Sequence, residues 1–167
     1  MSRSRRTGRD GKIGRSQSIG DYLSTILELN IEKIENSGNS YIRVKEIAKN
    51  LNISPPSVSE FIRKLGDQGF VEVINRKGVI LTEKGELQAE RIINSRKIVE
   101  CFLYSVIMLD KKKTHLQAKL IEPILDLEAI NKIYDHILKI RGDCILKNCP
   151  LKEIYPKNVI CKPPQKF

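Results

Sequence analysis

Residues 52–69, NISPPSVSEFIRKLGDQG, predict a helix that begins abruptly and has two different faces. Ser54 is a favourable N-cap, and Pro55 suits the first helical position because its missing N–H is not needed there. Three apolar residues recur at helical spacing and predict one buried face: Val58, Ile62 and Leu65. The other face is polar and partly basic, and the neighbouring segments indicate what it contacts.

Two helices are predicted before this segment. Residues 18–35 carry apolar side chains along one stripe with a period of about 3.6, and Ser18 is a plausible N-cap. The sequence NSGNS then ends the first helix. Residues 44–51 predict a short second helix, which NLNIS connects tightly to the helix that follows Ser54.

A change of period follows the third helix. Residues 70–85, FVEVINRKGVILTEKG, alternate apolar with other residues on both sides of the turn NRKG. This pattern predicts a small β-hairpin with a basic tip at Arg76 and Lys77. The alternating apolar residues are Val71, Val73, Val79 and Leu81.

The remaining sequence predicts three more helices. Thr82 caps a long helix, which MLDKKKTH, residues 108–115, is expected to break. A further helix runs through HLQAKLIE, and Pro123 should end or kink it because proline lacks the N–H of a helix interior. Asp126 then caps a last amphipathic helix.

The composition is that of a globular chain with a polyanionic partner. Its 167 residues are 40% hydrophobic and 30% charged, with a net charge of +10. Residues 1–17 are predicted to be a basic disordered arm, which either contacts phosphates or only aids solubility. No apolar run approaches the roughly 18 residues of a membrane span, and no secretory signal is present. We therefore expect a cytoplasmic protein.

The order of the predicted elements is that of a winged helix-turn-helix. In such a fold the second helix of the pair enters the major groove of DNA, and the hairpin lies along the backbone. The buried face of residues 55–65 would hold the helix to the core while its amino-terminal end meets DNA. The alternatives are a winged helix that contacts protein, or simply a small helical domain, but the net charge favours DNA.

The same segments resemble the DtxR/MntR family of metal-dependent repressors. The resemblance rests on a first helix of the type DYLSTILEL, an Ile-Ala-x-x-Leu helix, a Ser-Pro-x-Ser-Val-Ser-like recognition helix, a Gly-Phe-Val wing and a Leu-Thr-x-x-Gly start of a linking helix. It covers residues 21–140 and implies a mainly α fold. A winged helix-turn-helix at 18–82 is followed by a helical dimerisation domain at 83–140 and a cysteine- and proline-containing tail at 141–167. Long members add a small barrel domain, for which this chain is expected to be too short.

The resemblance also implies a homodimer that binds a palindromic operator in double-stranded DNA. The residues that fall where the family contacts base edges are Ser54, Pro56 and Glu60. Those that fall where the family contacts phosphates are Ser57, Ser59 and Arg63. The residues expected to supply the salt-sensitive part of the affinity are Arg63, Lys64, Arg76 and Lys77.

Most metal ligands of the family are replaced in this chain. The family binds Mn(II) or Fe(II) through carboxylates and imidazoles, and two of the matched positions keep a carboxylate, Asp21 and Glu122. The other matched positions hold residues that do not suit such a site: Ser24, Arg96, Lys119 and Pro123. Two further residues fall where some members bind an ancillary metal: Glu100 and His115. We therefore expect no Mn or Fe at the standard site.

Arg96 and Lys119 place fixed positive charge where the family places a removable cation. Our hypothesis is that they pair with nearby carboxylates and tie the two domains together permanently, so that operator binding needs no metal. The carboxylates available are Asp21, Glu100 and Glu122. The alternative is that all of these are solvated surface charges, which contribute little stability.

Cysteines give a rival mode of control. They are Cys101, in a predicted helix, and Cys144, Cys149 and Cys161, in the tail. The C-x4-C and C-x11-C spacing fits neither a zinc ribbon nor a ferredoxin, so bound Zn, an iron–sulfur cluster, a thiol switch and structural cysteines all stay open. The two histidines, His115 and His136, have no evident catalytic partner, and we expect no enzyme activity.

Overall fold

The structure is a computed structural model that describes residues 18–38 and 40–141. This part of the chain is mainly α-helical with one antiparallel sheet, as the sequence predicted. Its elements are α1 (Ile19–Ser37), α2 (Val44–Leu51), α3 (Pro55–Asp67), β1 (Val71–Ile74), β2 (Gly78–Leu81), α4 (Glu83–Ser105), α5 (Lys111–Ile121), a 3-10 turn (Glu122–Ile124) and α6 (Leu127–Arg141). None of these helices is long and apolar enough to cross a membrane. The predicted basic arm, and the tail beyond residue 141, lie outside the described residues.

Helices begin at the polar caps that the sequence indicated. Ser18 accepts a hydrogen bond from the backbone N–H of Asp21, and the Asp21 carboxylate accepts one from the N–H of Ser18. This reciprocal capping box starts α1. Thr82 starts α4 by accepting a hydrogen bond from the N–H of Gly85. α1 ends at Gly38, whose φ of +66° glycine adopts without strain.

The break between α4 and α5 is shorter than the sequence predicted. The prediction was a break over residues 108–115, but α5 already begins at Lys111. The Asp110 carboxylate accepts hydrogen bonds of 3.1 Å from the backbone N–H groups of Lys112 and Lys113. This N-cap satisfies the first donors of the helix, and a run of lysines does not by itself prevent helix formation.

The winged helix-turn-helix has its own hydrophobic core. The predicted buried face of α3 is confirmed, because Val58, Ile62 and Leu65 are 0%, 3% and 1% exposed. They pack with buried residues of α1, α2 and the hairpin, which include Leu23, Ile26, Ile47 and Leu81. At the edge of this core the ring of Tyr22 in α1 stacks on Phe61 in α3, with ring centroids 4.1 Å apart. α3 is therefore fixed from behind by α1.

The hairpin forms the wing, and three of its four alternating apolar side chains lie in the core. β1 and β2 pair antiparallel, with Val71 opposite Leu81 and Val73 opposite Val79. Val73 is 63% exposed, whereas the other three side chains are buried. β2 has a neighbour on both edges, because Ile42 also pairs with Val79. β1 pairs only with β2 among the described residues, and its outer half extends into solvent.

α4 connects the two domains because its halves belong to different cores. Ala89 and Ile93 pack in the core of the winged helix-turn-helix. Ile98 and Val99 pack in a second core with α5 and α6. The first core therefore extends past residue 82 into α4, and Arg96 lies on α4 between the two sets of apolar residues.

Candidate functional site

The amino-terminal end of α3 and the polar face behind it are accessible. Every α3 residue that the resemblance or the charge pattern assigned to DNA is exposed: Ser54, Pro56, Ser57, Ser59, Glu60, Arg63 and Lys64. The buried stripe of the same helix holds it against α1 and α2. α3 therefore projects side chains from a fixed backbone, as a recognition helix must.

Serine hydroxyls stabilise the first turn of α3. Ser54 Oγ accepts a hydrogen bond of 3.3 Å from the N–H of Ser57, and the two hydroxyl oxygens lie 2.8 Å apart. Ser59 Oγ donates to the carbonyl of Pro55 at 3.0 Å. These bonds fix the turn that carries the predicted DNA contacts, and each hydroxyl keeps further hydrogen-bonding capacity for a phosphate or base.

Glu60 and Lys64 form an ion pair one turn apart on α3. Lys64 Nζ donates to Glu60 Oε1 at 2.8 Å. This hydrogen bond and the lysine charge hold the pKa of Glu60 below its ordinary value. Glu60 is therefore an anion at neutral pH, which suits it to accept a hydrogen bond from a cytosine amino group.

The wing presents Arg76 and Lys77 at its tip, as the sequence predicted. Both are exposed, and Arg76 adopts a left-handed φ of +61° in the turn. Lys77 Nζ lies 5.4 Å from the ring centroid of Tyr41, in the segment before α2. Two further exposed cations flank the start of α2, Arg43 and Lys45, and no motif in the sequence marks them as DNA contacts.

Arg96 occupies the junction between the domains. Its side chain is 2% exposed, and Nη2 lies 4.0 Å from Asp21 Oδ1 and 3.9 Å from Glu122 Oε2. Nη1 donates to Ser24 Oγ at 3.4 Å. A single guanidinium therefore connects α1 of the winged helix-turn-helix to α4 and to the 3-10 turn of the helical domain.

Ser24 and Arg96 fit each other sterically. Both stand at positions where the resemblance places metal ligands. A serine is two heavy atoms shorter in reach than a glutamate, and the guanidinium is larger than an imidazole and longer in reach. The small residue on α1 leaves room for the large one on α4, and the two side chains are within hydrogen-bonding distance.

Glu100 and His115 form a separate pair on the second-domain side of the junction. His115 Nδ1 lies 2.8 Å from Glu100 Oε1, and Glu100 is fully buried. The predicted pairing of Glu100 with Arg96 or Lys119 stays a prediction, and the contact that the structure gives for Glu100 is with the imidazole of His115. Glu100 Oε2 has no hydrogen-bond partner among the described residues.

Glu28 belongs to the same junction and is a carboxylate that the resemblance does not mark. A cavity of about 510 Å³ between α1, α4 and α5 is lined by Asp21, Glu28, Arg96 and Lys119, among others. Burial raises the pKa of Glu28, although the charges of Arg96 and Lys119 act to lower it. The sequence carries a signal for Glu28, because it follows Asp21 by seven residues and therefore lies on the same face of α1.

The junction does not fit the Mn(II) or Fe(II) site of the resembling family. A hard metal needs oxygen or nitrogen ligands within about 2.0–2.6 Å on several sides. Here the fixed positive charge of Arg96 lies between the Asp21 and Glu122 carboxylates and competes for both. In residues 18–38 and 40–141, no group of three or more His, Cys, Asp or Glu side chains is arranged to hold a metal ion.

Cysteine-based control stays a prediction, because one of the four cysteines lies within the described residues. Cys101 is fully buried in the second core, with Sγ 3.5 Å from Ser105 Oγ. Cys144, Cys149 and Cys161 lie outside the described residues. Cys101, the cysteine that lies within the described residues, is therefore a core residue.

A winged helix-turn-helix joined by a long helix to an all-helical domain defines a class of two-domain transcriptional regulators. Residues 16–79 match "Iron dependent repressor, N-terminal DNA binding domain", and residues 82–145 match "Iron dependent repressor, metal binding and dimerisation domain". The chain belongs to the iron-dependent repressor family. Its members are transcriptional regulators, so the expectation that the chain is not an enzyme is confirmed.

Relatives share this organisation. The chain is 35% identical over 118 residues to the HTH-type transcriptional regulator MJ0568 of Methanocaldococcus jannaschii, a match that covers 71% of this chain and 90% of the relative. It is similar in structure to the manganese regulator SloR (TM-score 0.64, 25% identity) and to IdeR of T. acidophilum (TM-score 0.64, 27% identity). These likenesses cover 79% and 74% of this chain but only 58% and 55% of the two solved chains.

Proposed function

We propose that this chain is a transcriptional repressor that binds a palindromic operator as a two-fold dimer. The observation that carries the proposal is the exposed amino-terminal end of α3, fixed from behind by a buried aliphatic stripe. A helix with its side chains is about 10–12 Å wide, and the major groove is about 12 Å wide. The end of α3 can therefore enter the groove while the wing lies along the backbone.

The exposed side chains of α3 divide into two roles. Pro56 offers an apolar surface to a thymine methyl group, and the Glu60 carboxylate accepts from a cytosine amino group. Arg63 and Lys64 contact phosphates and add affinity without sequence preference. The two roles predict different phenotypes, because base contacts set the preferred sequence and phosphate contacts set the salt dependence.

Operator binding by this chain does not require a metal in our proposal. The support is the Arg96 guanidinium, which lies between Asp21 and Glu122 and supplies a permanent cation at the domain junction. Since no metal ion has to bind at the junction, the orientation of α1 relative to the helical domain does not depend on the metal supply. The regulator is then controlled by some signal other than Mn(II) or Fe(II).

Selection of duplexes from a random-sequence pool tests the DNA-binding part of the proposal. The wild-type protein should enrich a palindrome, and its log affinity should fall steeply with log salt. Glu60→Ala should relax the preference at one base pair of each half-site, a change of about 1–3 kcal/mol. Lys132→Gln, which replaces an exposed lysine on α6, is the control and should leave the base preference unchanged. A protein that enriches no duplex overturns the proposal and favours protein contact by the winged helix.

Metal dependence is tested on the same duplex. Protein dialysed against a chelator should bind with unchanged affinity when Mn(II) or Fe(II) is added. The double variant Arg96→His with Lys119→Glu removes the two fixed cations, and it should lose affinity unless metal is supplied. A wild-type protein that binds only after metal addition would contradict metal independence and leave the DNA-binding role intact.

A further inference from the structure

The segment before α2 is fixed to the wing by backbone hydrogen bonds. Ile42 N–H donates to the carbonyl of Val79 at 2.9 Å, and Val79 N–H donates to the carbonyl of Ile42 at 2.8 Å. Gly78 makes this approach possible, because a Cβ on Gly78 would lie 2.6 Å from the Ile42 carbonyl oxygen. The segment before α2 is therefore hydrogen-bonded to β2, next to the tip of the wing.

A basic groove lies between these two elements, and we call it the wing groove. It has a volume of about 810 Å³. Five cations and one carboxylate line it, together with Tyr41: Lys33, Arg43, Lys45, Arg76, Lys77 and Glu46. The cations come from three separate parts of the sequence, so no run of charges in the chain reveals the groove.

The single carboxylate in the wing groove is already engaged inside the protein. Lys33 Nζ lies 2.9 Å from both Glu46 carboxylate oxygens, and the N–H of Arg43 donates to Glu46 Oε2 at 2.6 Å. Burial acts to raise the pKa of Glu46, but these hydrogen bonds and the Lys33 charge together lower it. Glu46 is thus engaged by Lys33 and by Arg43, and one carboxylate against five cations leaves the wing groove with a net positive charge.

We propose that the wing groove binds backbone phosphates of the operator, with Arg43 and Lys45 as contact residues beside Arg76 and Lys77. The inference rests on the proposed DNA-binding function and extends it. The first helix of a helix-turn-helix crosses the DNA backbone while the second enters the groove. Arg43 and Lys45 flank the start of that first helix, and both are exposed next to the wing tip.

The double variant Arg43→Gln with Lys45→Gln tests the wing groove on the duplex that the wild-type protein selects. Each phosphate contact contributes about 0.9 to the slope of log affinity against log salt. The variant should therefore lower the magnitude of that slope by about two per chain. The ratio of affinities for the selected and a scrambled duplex should stay constant, because phosphate contacts carry no sequence information.

The matched control is Lys112→Gln with Lys132→Gln, which removes the same charge from exposed positions of α5 and α6. Its slope should equal that of the wild type. An unchanged slope in the Arg43/Lys45 variant, or an equal loss in the control, overturns the role of the groove. Failure of the proposed function would give a different result, because the wild-type protein would then select no duplex.

Discussion

At the residue scale, the arginine at position 96 changes the role of the acidic residues beside it. Asp21 and Glu122 stand at positions that match metal ligands, yet in this chain they are the ion-pair partners of a guanidinium. A buried ion pair adds little net stability compared with an apolar replacement, but removal of one partner leaves an uncompensated charge. Replacement of Arg96 should therefore destabilise the whole junction.

Arg96→Gln should destabilise the fold by about 3 kcal/mol, because it removes the buried cation that lies between the Asp21 and Glu122 carboxylates. The measurement is the free energy of unfolding from urea titration at neutral pH. Arg63→Gln, at an exposed position of α3, is the control and should change stability by no more than about 0.5 kcal/mol. Equal effects of the two variants would show that Arg96 acts as an ordinary surface cation.

Glu28 should make the fold less stable as the pH rises. Burial raises its pKa above the ordinary value of 4.5, so its contribution is complete below that pH and is lost as the pH rises through the folded-state pKa. Glu28→Gln should therefore stabilise the protein at pH 7 and have much less effect at pH 4. Urea titrations at both pH values measure the difference.

Glu46 gives the opposite sign and serves as the comparison. Its pKa is lowered from 4.5, so its contribution is present above that value and is lost as the pH falls through the folded-state pKa. Glu46→Gln should destabilise the protein at pH 7 and have less effect at acid pH. If the two variants respond to pH with the same sign, the electrostatic interpretation of one of them is wrong.

At the element scale, two of the helical glycines, Gly66 and Gly85, have different surroundings. A Cβ on Gly66 in α3 would have its nearest neighbour, the carbonyl oxygen of Val71, at 3.8 Å. A Cβ on Gly85 in the first turn of α4 would lie 2.0 Å from the carbonyl oxygen of Phe70. The same residue type is therefore replaceable in one helix and required in the other, where the wing meets α4.

Gly66→Ala should stabilise the protein by about 0.5–1 kcal/mol, because alanine loses less backbone entropy in a helix. Gly85→Ala should destabilise it by about 1–3 kcal/mol, because the methyl group forces the wing and α4 apart. Thermal unfolding of both variants measures the contrast. A stabilising Gly85→Ala would show that the two elements do not pack this closely.

At the scale of the whole molecule, the helical domain carries exposed apolar surface that suits a second copy of the chain. Met108 and Ile124 are each 81% exposed, and Leu116 is 62% exposed. These side chains lie in the domain that the family description associates with dimerisation. Burial of such side chains would be the main driving force for the two-fold dimer proposed above.

Ile124→Lys should weaken self-association at least tenfold, because it places a charge in a surface that dimerisation would bury. Sedimentation equilibrium measures the dissociation constant. Val73→Lys, at a 63% exposed apolar position on the wing, is the matched control and should leave association unchanged. If Ile124→Lys dimerises like the wild type, the interface lies elsewhere on the chain.

The sequence by itself determined the order and type of the elements, because caps and apolar periodicity act over a few neighbouring residues. Ser54, Pro55 and the spacing of the α3 stripe sufficed to place the recognition helix. The resemblance then supplied the family. The exposure of Val73 was not predictable in the same way, since alternation does not show where a core ends.

The tertiary structure alone decided which charges meet. Arg96 is 72 residues from Ser24 along the chain, and their contact exists only because α1 packs on α4. Glu28 joins that junction, and Glu100 meets His115 through the same helix packing. The cations of the wing groove likewise converge from α1, α2 and the wing. Charge interactions depend on distance in space, and local sequence patterns contain no such distances.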